Sequence, residues 1–259
     1  MHAVGIDIGG TKIAAGVVDA EGALLATTRR DTNPEEPSDI EDAVVDAIAE
    51  LRRVFEISAV GVAAAGFVDP TRSRVMFAPN IAWRDYPLRE ILEARLDLPV
   101  DVENDANAAG WGEFRFGAGR DVSDMVMLTV GTGLGGAIVL DGNLLRGAAG
   151  AAAEVGHMRV VPNGRACGCG HDGCWETYVS GTALVRETRA ALATDPARAD
   201  RLLELAGGKA KRVTGPHVTA AAAEGDPLAV EMLTDLGQKN GAGRGCPNAA
   251  RAPPLSVNS

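Results

Sequence analysis

Along the first hundred residues, apolar runs alternate with turn signals, and the period of those runs changes on the way. HAVGIDI, IAAGVVD and ALLATTRRD are separated by GGTK and AEG. Apolar stretches of this length, bounded by Gly-containing turns, predict three antiparallel strands. The period then lengthens. Val44, Val45, Ile48, Leu51 and Val54 recur at helical spacing, and Ser38 followed by Glu41 has the form of a capping box, so a helix is predicted over DAVVDAIAELRRVF. AVGVAAAG at 59–66 reads as a buried strand, LREILEARL at 88–96 as an amphipathic helix, and PVDVEN as one more strand. Three strands, helix, strand, helix and strand describe a mixed sheet with helices on its faces, an α/β domain.

The opening layout returns later in the chain. MVMLTVGTGLGGAIVLDGNLL at 125–145 has the order of AVGIDIGGTKIAAGVVDAEGALL: strand, Gly/Thr turn, strand, Asp and Gly turn, short strand. Two related α/β domains follow from this repeat, an N-terminal one at 1–108 and a C-terminal one at 109–236. After Glu176, TALVRETRAALA and VTAAAAEGDPLAVEMLTDLG suit amphipathic helices. From Gly237 the chain reads GQKNGAGRGCPNAARAPPLSVNS, where Leu255 and Val257 are the large aliphatic residues and no period survives. Residues 237–259 are therefore expected to be an aberrant, disordered tail that leaves the second domain incomplete, and a frameshifted or truncated end is the preferred explanation.

Charge narrows the partners. With 35 acidic against 25 basic side chains, a net charge of −10 and no run of Lys or Arg, nucleic acid and anionic membranes are poor partners. The chain has neither a stretch of about 18 apolar residues nor a secretory leader, so a cytoplasmic protein is expected. Thiols stay reduced there, which makes Cys167, Cys169 and Cys174 metal ligands rather than disulfide partners, while Cys246 stands apart without a role.

Three groups of residues carry candidate chemistry. The turns DIGGTK at 7–12 and GTGLGG at 131–136 are loops whose missing side chains let backbone amides approach an anion. A single such turn is more often a tight hairpin than a ligand site; two of them could grip a polyphosphate. Neither fits a P-loop or a dinucleotide-binding turn, because a second strand rather than a helix follows the glycines. Next, Glu103 to Ala108 (ENDANA) form a polar group just after an apolar strand, where α/β folds place ligand chemistry. The plain alternative is an N-cap, which needs one residue only. Asp105 is assigned as the carboxylate that takes a proton from an acceptor hydroxyl, with Asn104 beside it to orient the substrate. Finally, His157, Cys167, Cys169 and Cys174 offer one imidazole and three thiolates, a set that favours a closed, structural zinc site, with His171 ranked below His157. Glu154 and Glu176 bracket that loop as hydroxyl acceptors, and Asn80 in FAPN is a weaker candidate of the same kind.

Taken in order, DIGGTK, ENDANAA, GTGLGG and the stretch from EVGH through CGCGHDGCWE resemble the ROK family (repressors, open reading frames and kinases), and within it the bacterial ATP-dependent glucokinases; the resemblance runs from Val4 to about Leu236. It implies an actin-like (ribonuclease H-like) ATPase fold of two α/β domains around a cleft, transfer of the ATP γ-phosphoryl group to the 6-hydroxyl of D-glucose, and a homodimer or homotetramer. It also implies roles: Asp105 as catalytic base; Asn80, Asn104, Glu154, His157 and Glu176 as sugar contacts; Asp7 near Mg2+; Gly10, Thr11, Lys12, Thr132 and Gly133 as phosphate-binding positions; and His157, Cys167, Cys169 and Cys174 as Zn2+ ligands. Mannose, N-acetylglucosamine and N-acetylmannosamine are alternative acceptors, and a sugar-binding protein without catalysis is an alternative reading. A sugar-responsive repressor would need a DNA-binding segment ahead of DIGGTK, where six residues precede Asp7.

Overall fold

The computed structural model describes residues 1–243; residues 244–259, the larger part of the expected tail together with Cys246, lie outside the described residues. Strands β1 (His2–Ile8), β2 (Lys12–Val18) and β3 (Leu24–Asp31) form the antiparallel meander that the alternation predicts. Strand β4 (Ile57–Ala64) pairs parallel with β1, and β8 (Val100–Asn104) parallel with β4, giving the order β3-β2-β1-β4-β8. Val4, Ile6 and Ile8 of β1 and Ile13, Ala15 and Val17 of β2 alternate into the core. Helix α1 (Pro37–Leu51) packs there with Ile40, Val44, Ala47 and Ile48.

That helix differs from its prediction at both ends. It starts at Pro37, whose fixed φ suits a first turn, and its N-cap Glu36 makes no side-chain bond, so Ser38 and Glu41 form no capping box. Glu41 is instead buried and accepts from the Tyr86 hydroxyl and from Arg95. The helix ends at Leu51, and Val54 is left exposed. Between β4 and β8 lie three short strands that no periodicity announces, β5 (Phe67–Val68), β6 (Val75–Phe77) and β7 (Arg84–Tyr86), and then α2 (Leu88–Leu96), which has the predicted bounds.

Helix α3 (Asp105–Phe116) follows β8 without a loop, and β9 (Met125–Val130), β10 (Leu134–Leu140) and β11 (Asn143–Leu144) form a second sheet of order β11-β10-β9. Gly110 is where α3 meets β10: a Cβ there would lie 2.2 Å from the Cβ of Ala137. Trp111, Phe114, Met125 and Met127 pack around Ala137, Val139 and Leu144. By its contacts the chain divides into two compact units, Met1–Leu128 with Gly136–Glu154, and Thr129–Gly135 with the residues from Val155 onward. A boundary at 108 does not coincide with this division, because α3 packs on β4 and β8 before it and on Ala137 after it.

The second unit is helical: α4 (Glu176–Val179), α5 (Gly181–Thr194), α6 (Asp200–Leu205), α7 (Gly215–Ala223) and α8 (Pro227–Gly243). Leu184, Leu192, Leu202, Val213, Val218 and Leu228 form its core. Buried Asp226 links two of these helices by accepting from the amides of Leu202 and Ala229. Helix α8 continues past the expected end at 236, with Lys239 paired to Asp235 one turn earlier. The apolar period stops there, yet a helix already nucleated gains a hydrogen bond with each added residue, so the first seven residues of the expected tail are ordered as helix. Among the described residues no helix is long and apolar enough to cross a membrane.

Candidate active site

In the first unit the strand register sets the site. Asp7 lies opposite Ala63 and Ala63 opposite Glu103, while Ile8, Ala64 and Asn104 form the next row. The turns after β1 and β4 and the start of α3 therefore leave the same edge of the sheet, with β1 and β8 roughly 10 Å apart at two strand spacings. Asn104 is the N-cap of α3: its Oδ1 accepts from the Asn107 amide at 3.0 Å, and its Nδ2 donates to the Gly66 carbonyl at 3.1 Å. Capping is thus performed by Asn104, and both ends of its amide are bonded to protein.

Asp105 is consequently available for chemistry. Its Oδ1 accepts from the Ala106 amide at 2.9 Å and from Asn104 Nδ2 at 3.2 Å, whereas Oδ2 accepts from no protein group among the described residues. Burial among the surrounding groups raises the Asp105 pKa above its ordinary value; the Ala106 amide opposes this, and the nearby Asp7 carboxylate adds to it. A carboxylate with one oxygen anchored and one open, at raised basicity, is suited to accept a proton.

Across the edge, the first Gly turn is closed by the Gly9 amide donating to the Lys12 carbonyl at 3.0 Å, and the Thr11 carbonyl accepts from Thr32 at 2.9 Å. The amides of Gly10 and Thr11 donate to no protein group among the described residues, and the exposed Lys12 has no carboxylate partner there. A Cβ on Gly10 would touch Asn80, 3.4 Å from its carbonyl oxygen. Gly10, Thr11, Pro34, Asn80, Ile81 and Arg84 line a cleft of about 650 Å3. Arg84, absent from the sequence-based assignments, holds the loop that carries Asn80: its Nη1 donates to the carbonyls of Ala78 at 2.9 Å and Ile81 at 3.2 Å, with the guanidinium 4.3 Å above the Phe77 ring.

The second unit holds the remaining candidates except Glu154. Its Gly turn rests on the N-terminus of α5, where the Gly181 amide donates to the Gly131 carbonyl at 2.7 Å and the Thr182 hydroxyl to the Thr132 carbonyl at 2.7 Å. In a trans peptide the N–H points opposite to the carbonyl. Fixing these two carbonyls on α5 therefore aims the amides of Thr132 and Gly133 away from it, and neither has a protein acceptor among the described residues. They are the two positions that the resemblance assigns to phosphate.

Beside this turn, one ligand atom each from His157, Cys167, Cys169 and Cys174 lies within 4.8 Å of the others. The Cys169 and Cys174 sulfurs are 3.6 Å apart, and Cys167 Sγ is 3.7 Å from His157 Nδ1. A tetrahedral thiolate shell of radius about 2.3 Å has edges of about 3.8 Å, so the two pairs at 3.6 and 3.7 Å are close to that spacing, and the four residues are gathered closely enough to hold one metal ion. His171 Nδ1 lies 3.7 Å from Cys169 but outside the four-residue group. Glu176 opens α4 with its Oε1 3.0 Å from Cys167 Sγ, and its Oε2 would be 3.0 Å from a Cβ on Gly133. The carboxylate thus lies between the metal ligands and the Gly turn. Glu154 ends the first unit directly before the single turn Val155–His157.

In the first unit, a sheet edge with an open carboxylate and a Gly turn whose amides lack acceptors among the described residues has the donors and the base that phosphoryl transfer uses. The family model for the ROK family matches residues 3–246, and the chain belongs to that family. It is 51% identical to the glucokinase of Streptomyces coelicolor over 240 residues, which cover 93% of this chain and 75% of that one. Among solved structures, the ROK family glucokinase from Streptomyces griseus in complex with glucose and AMPPNP superposes with a TM-score of 0.87 at 50% identity, over 94% of this chain and 78% of that one. The ROK hexokinase from Thermus thermophilus follows at 0.74 and 35%, over 94% and 76%. This likeness gives the chain the α/β, actin-like ATPase fold.

Proposed function

We propose that the protein is a glucokinase, an ATP-dependent hexose kinase that transfers the γ-phosphoryl group of ATP to the 6-hydroxyl of D-glucose. The similarity to glucokinases over nearly the whole described chain supports the reaction. The observation that carries the mechanism is the open Oδ2 of Asp105. Asp105 takes the proton of the sugar hydroxyl as that oxygen forms its bond to the γ-phosphorus; the bond from phosphorus to the β,γ-bridging oxygen breaks, and ADP leaves with the electron pair. The free amides of Gly10, Thr11, Thr132 and Gly133, with Lys12, offer donors to the phosphates. Asn80, Glu154, His157 and Glu176 are the proposed sugar contacts; Asn104, expected as a fifth, has its amide already bonded within the protein, and its proposed part is to hold Asp105 and the Gly66 turn in place.

Mg2+ supplies charge neutralisation on the phosphates when bound, with Asp7 as the carboxylate nearest to it in this reading. Zn2+ is the proposed occupant of the His157, Cys167, Cys169 and Cys174 cluster, where four protein ligands leave no open coordination position and the role is structural. The protein is proposed to act in the cytoplasm, as a homodimer or homotetramer. The test is sugar-dependent ADP release with magnesium ATP and glucose, mannose, N-acetylglucosamine or N-acetylmannosamine, beside Asp105→Ala. Turnover highest on glucose and lost in the variant supports the proposal; preference for another hexose reassigns the acceptor, and sugar binding without turnover makes this a binding protein.

A further inference from the structure

One ion pair at the sheet edge, Glu103 with Arg146, has no part in the roles above. The Glu103 side chain is only 15% exposed. Its Oε2 accepts from Arg146 Nε at 2.7 Å, and its Oε1 accepts from the Asn104 amide at 3.1 Å and from Asn107 Nδ2 at 3.4 Å. Asn107 is itself buried, and its amide donates to the Asn104 side chain. Glu103 therefore holds both the N-cap of α3 and the residue at N3, with Asp105 between them. Arg146 reaches this carboxylate from the segment after β11, 43 residues further along the chain. Its own carbonyl accepts from Ala152 at 3.0 Å, closing a loop whose Gly150 leaves no room for a Cβ against the Val68 carbonyl, 2.0 Å away. That loop runs directly into Glu154.

We infer that Arg146 is a positioning residue for the proposed base: by pairing with Glu103 it fixes the first turn of α3 so that Asp105 Oδ2 faces the acceptor, and it cancels a negative charge two residues from that base. The inference rests on the kinase reading. Among the described residues, the charged groups at this end of the sheet are Asp7 and Lys12 at the β1–β2 turn, Glu103 and Asp105 from β8 and α3, and Arg146; β4 presents Ala63 and Ala64 at the same level, Asp101 of β8 is paired with Arg72 and Arg89, and Glu113 and Arg115 lie in the later turns of α3. Without Arg146 the mostly buried Glu103 side chain loses its cationic partner, and Asp105 has a second carboxylate, beside that of Asp7, with no cation paired to it.

The experiment compares wild type with Arg146→Met, Arg146→Lys, Glu103→Gln and the double variant Arg146→Met/Glu103→Gln. In Arg146→Met, kcat is expected to fall by about tenfold or more, with KM for glucose changed less. The acid limb of kcat/KM should move to higher pH by about half a unit or more, and return in the double variant, which removes the charge that Arg146 had balanced. Arg146→Lys keeps the charge and should keep the limb. A purely structural role would lower activity in the single and double variants alike and leave the limb in place. Titration of the Asp105 carboxyl by 13C NMR reads the same shift without turnover, so the inference is decided even in a protein that phosphorylates no hexose. An Asp105 titration that is identical in wild type and Arg146→Met, or a shift that persists in the double variant, overturns it. If Arg146→Met fails to fold, Arg146→Lys and the double variant against Glu103→Gln supply the comparison.

Discussion

Gly181→Ala tests the phosphate reading of the second turn without touching a residue assigned to it. An alanine Cβ at this position would lie 2.7 Å from the Gly131 carbonyl oxygen, about 0.7 Å short of ordinary contact. Neither partner has an easy way out. The oxygen is bonded to the Gly181 amide itself at 2.7 Å, and Gly181 is the first residue of α5, whose Ser180 cap accepts from Ala183 at 3.2 Å. The turn must therefore give, and rotation of the Gly131 peptide redirects the Thr132 amide at its other end. Misplacing a binding group by about 1 Å costs on the order of 100-fold, so a tenfold to hundredfold fall in kcat/KM for ATP is expected, mostly in KM. Helix propensity favours Ala over Gly by at most about 1 kcal/mol, which keeps the loss of overall stability small. Initial rates of ADP release with magnesium ATP varied at saturating glucose measure the effect, with glucose affinity by calorimetry as the internal reference. An ATP KM within about twofold of wild type would refute the claim that α5 aims the amides of this turn.

Other consequences follow from the same geometry. Asp105→Asn keeps the shape and the contacts to Ala106 but cannot accept a proton, so kcat should fall by about 100- to 10,000-fold in steady-state assays while the melting temperature changes little. Because burial and Asp7 raise the Asp105 pKa, and the base works only when deprotonated, activity should be lost as pH falls through a value above the ordinary aspartate range; a kcat/KM profile whose acid limb lies at or below about 4 would contradict this. Elemental analysis should find one zinc per chain, and chelation or Cys169→Ser should lower the melting temperature and weaken glucose binding, since Glu176 is packed against Cys167; unchanged calorimetry after metal loss would separate the two. Asp69, half-buried, is pushed up by burial but held at about 2 by donors from Thr71, Arg74 and Ser73, so Asp69→Ala should cost about 1–2 kcal/mol at neutral pH. That cost should fade between about pH 4 and 2, as the wild-type carboxylate is protonated through its depressed pKa, which urea melts across this range can follow.

What could be read in advance depended on how local the determining physics was. The meander, α2 and the pair of Gly turns were legible because alternation, helical spacing and glycine act over a few residues. The grouping of His157 with Cys167, Cys169 and Cys174 was legible from the density of cysteines in one short loop and a nearby imidazole. Strands β5 to β7 were not, since two or three residues cannot display a period. Nor were Arg84 and Arg146, because in the sequence each is one more arginine; Arg146 finds its partner 43 residues away only once α3 and the second hairpin have closed over Trp111 and Phe114. The same closure explains why a repeat in the sequence did not place the division between units. The competition between cap and base at Asn104 and Asp105 also needed three dimensions: both types cap well, and the extended backbone of Asn104 is what assigns it the task.

The two Gly turns look alike in sequence yet are held by different means, and this bears on what the likeness signifies. The first is fastened by strand pairing that continues to Ile8 and Ile13 on one side and by Thr32 on the other; its glycines meet neighbours at 3.3 Å or more. The second is fastened from behind by the N-terminus of a helix, and there the steric demand for glycine falls on Gly181, outside the turn. In both, carbonyls are consumed by protein donors while the amides of Gly10 and Thr11, or of Thr132 and Gly133, are left without acceptors. Packing alone would have no reason to reach the same outcome by two routes. The proposed phosphate role, which needs amides turned toward an anion, supplies one, and it makes the second turn sensitive to a change in α5 and the first sensitive to a change at Thr32.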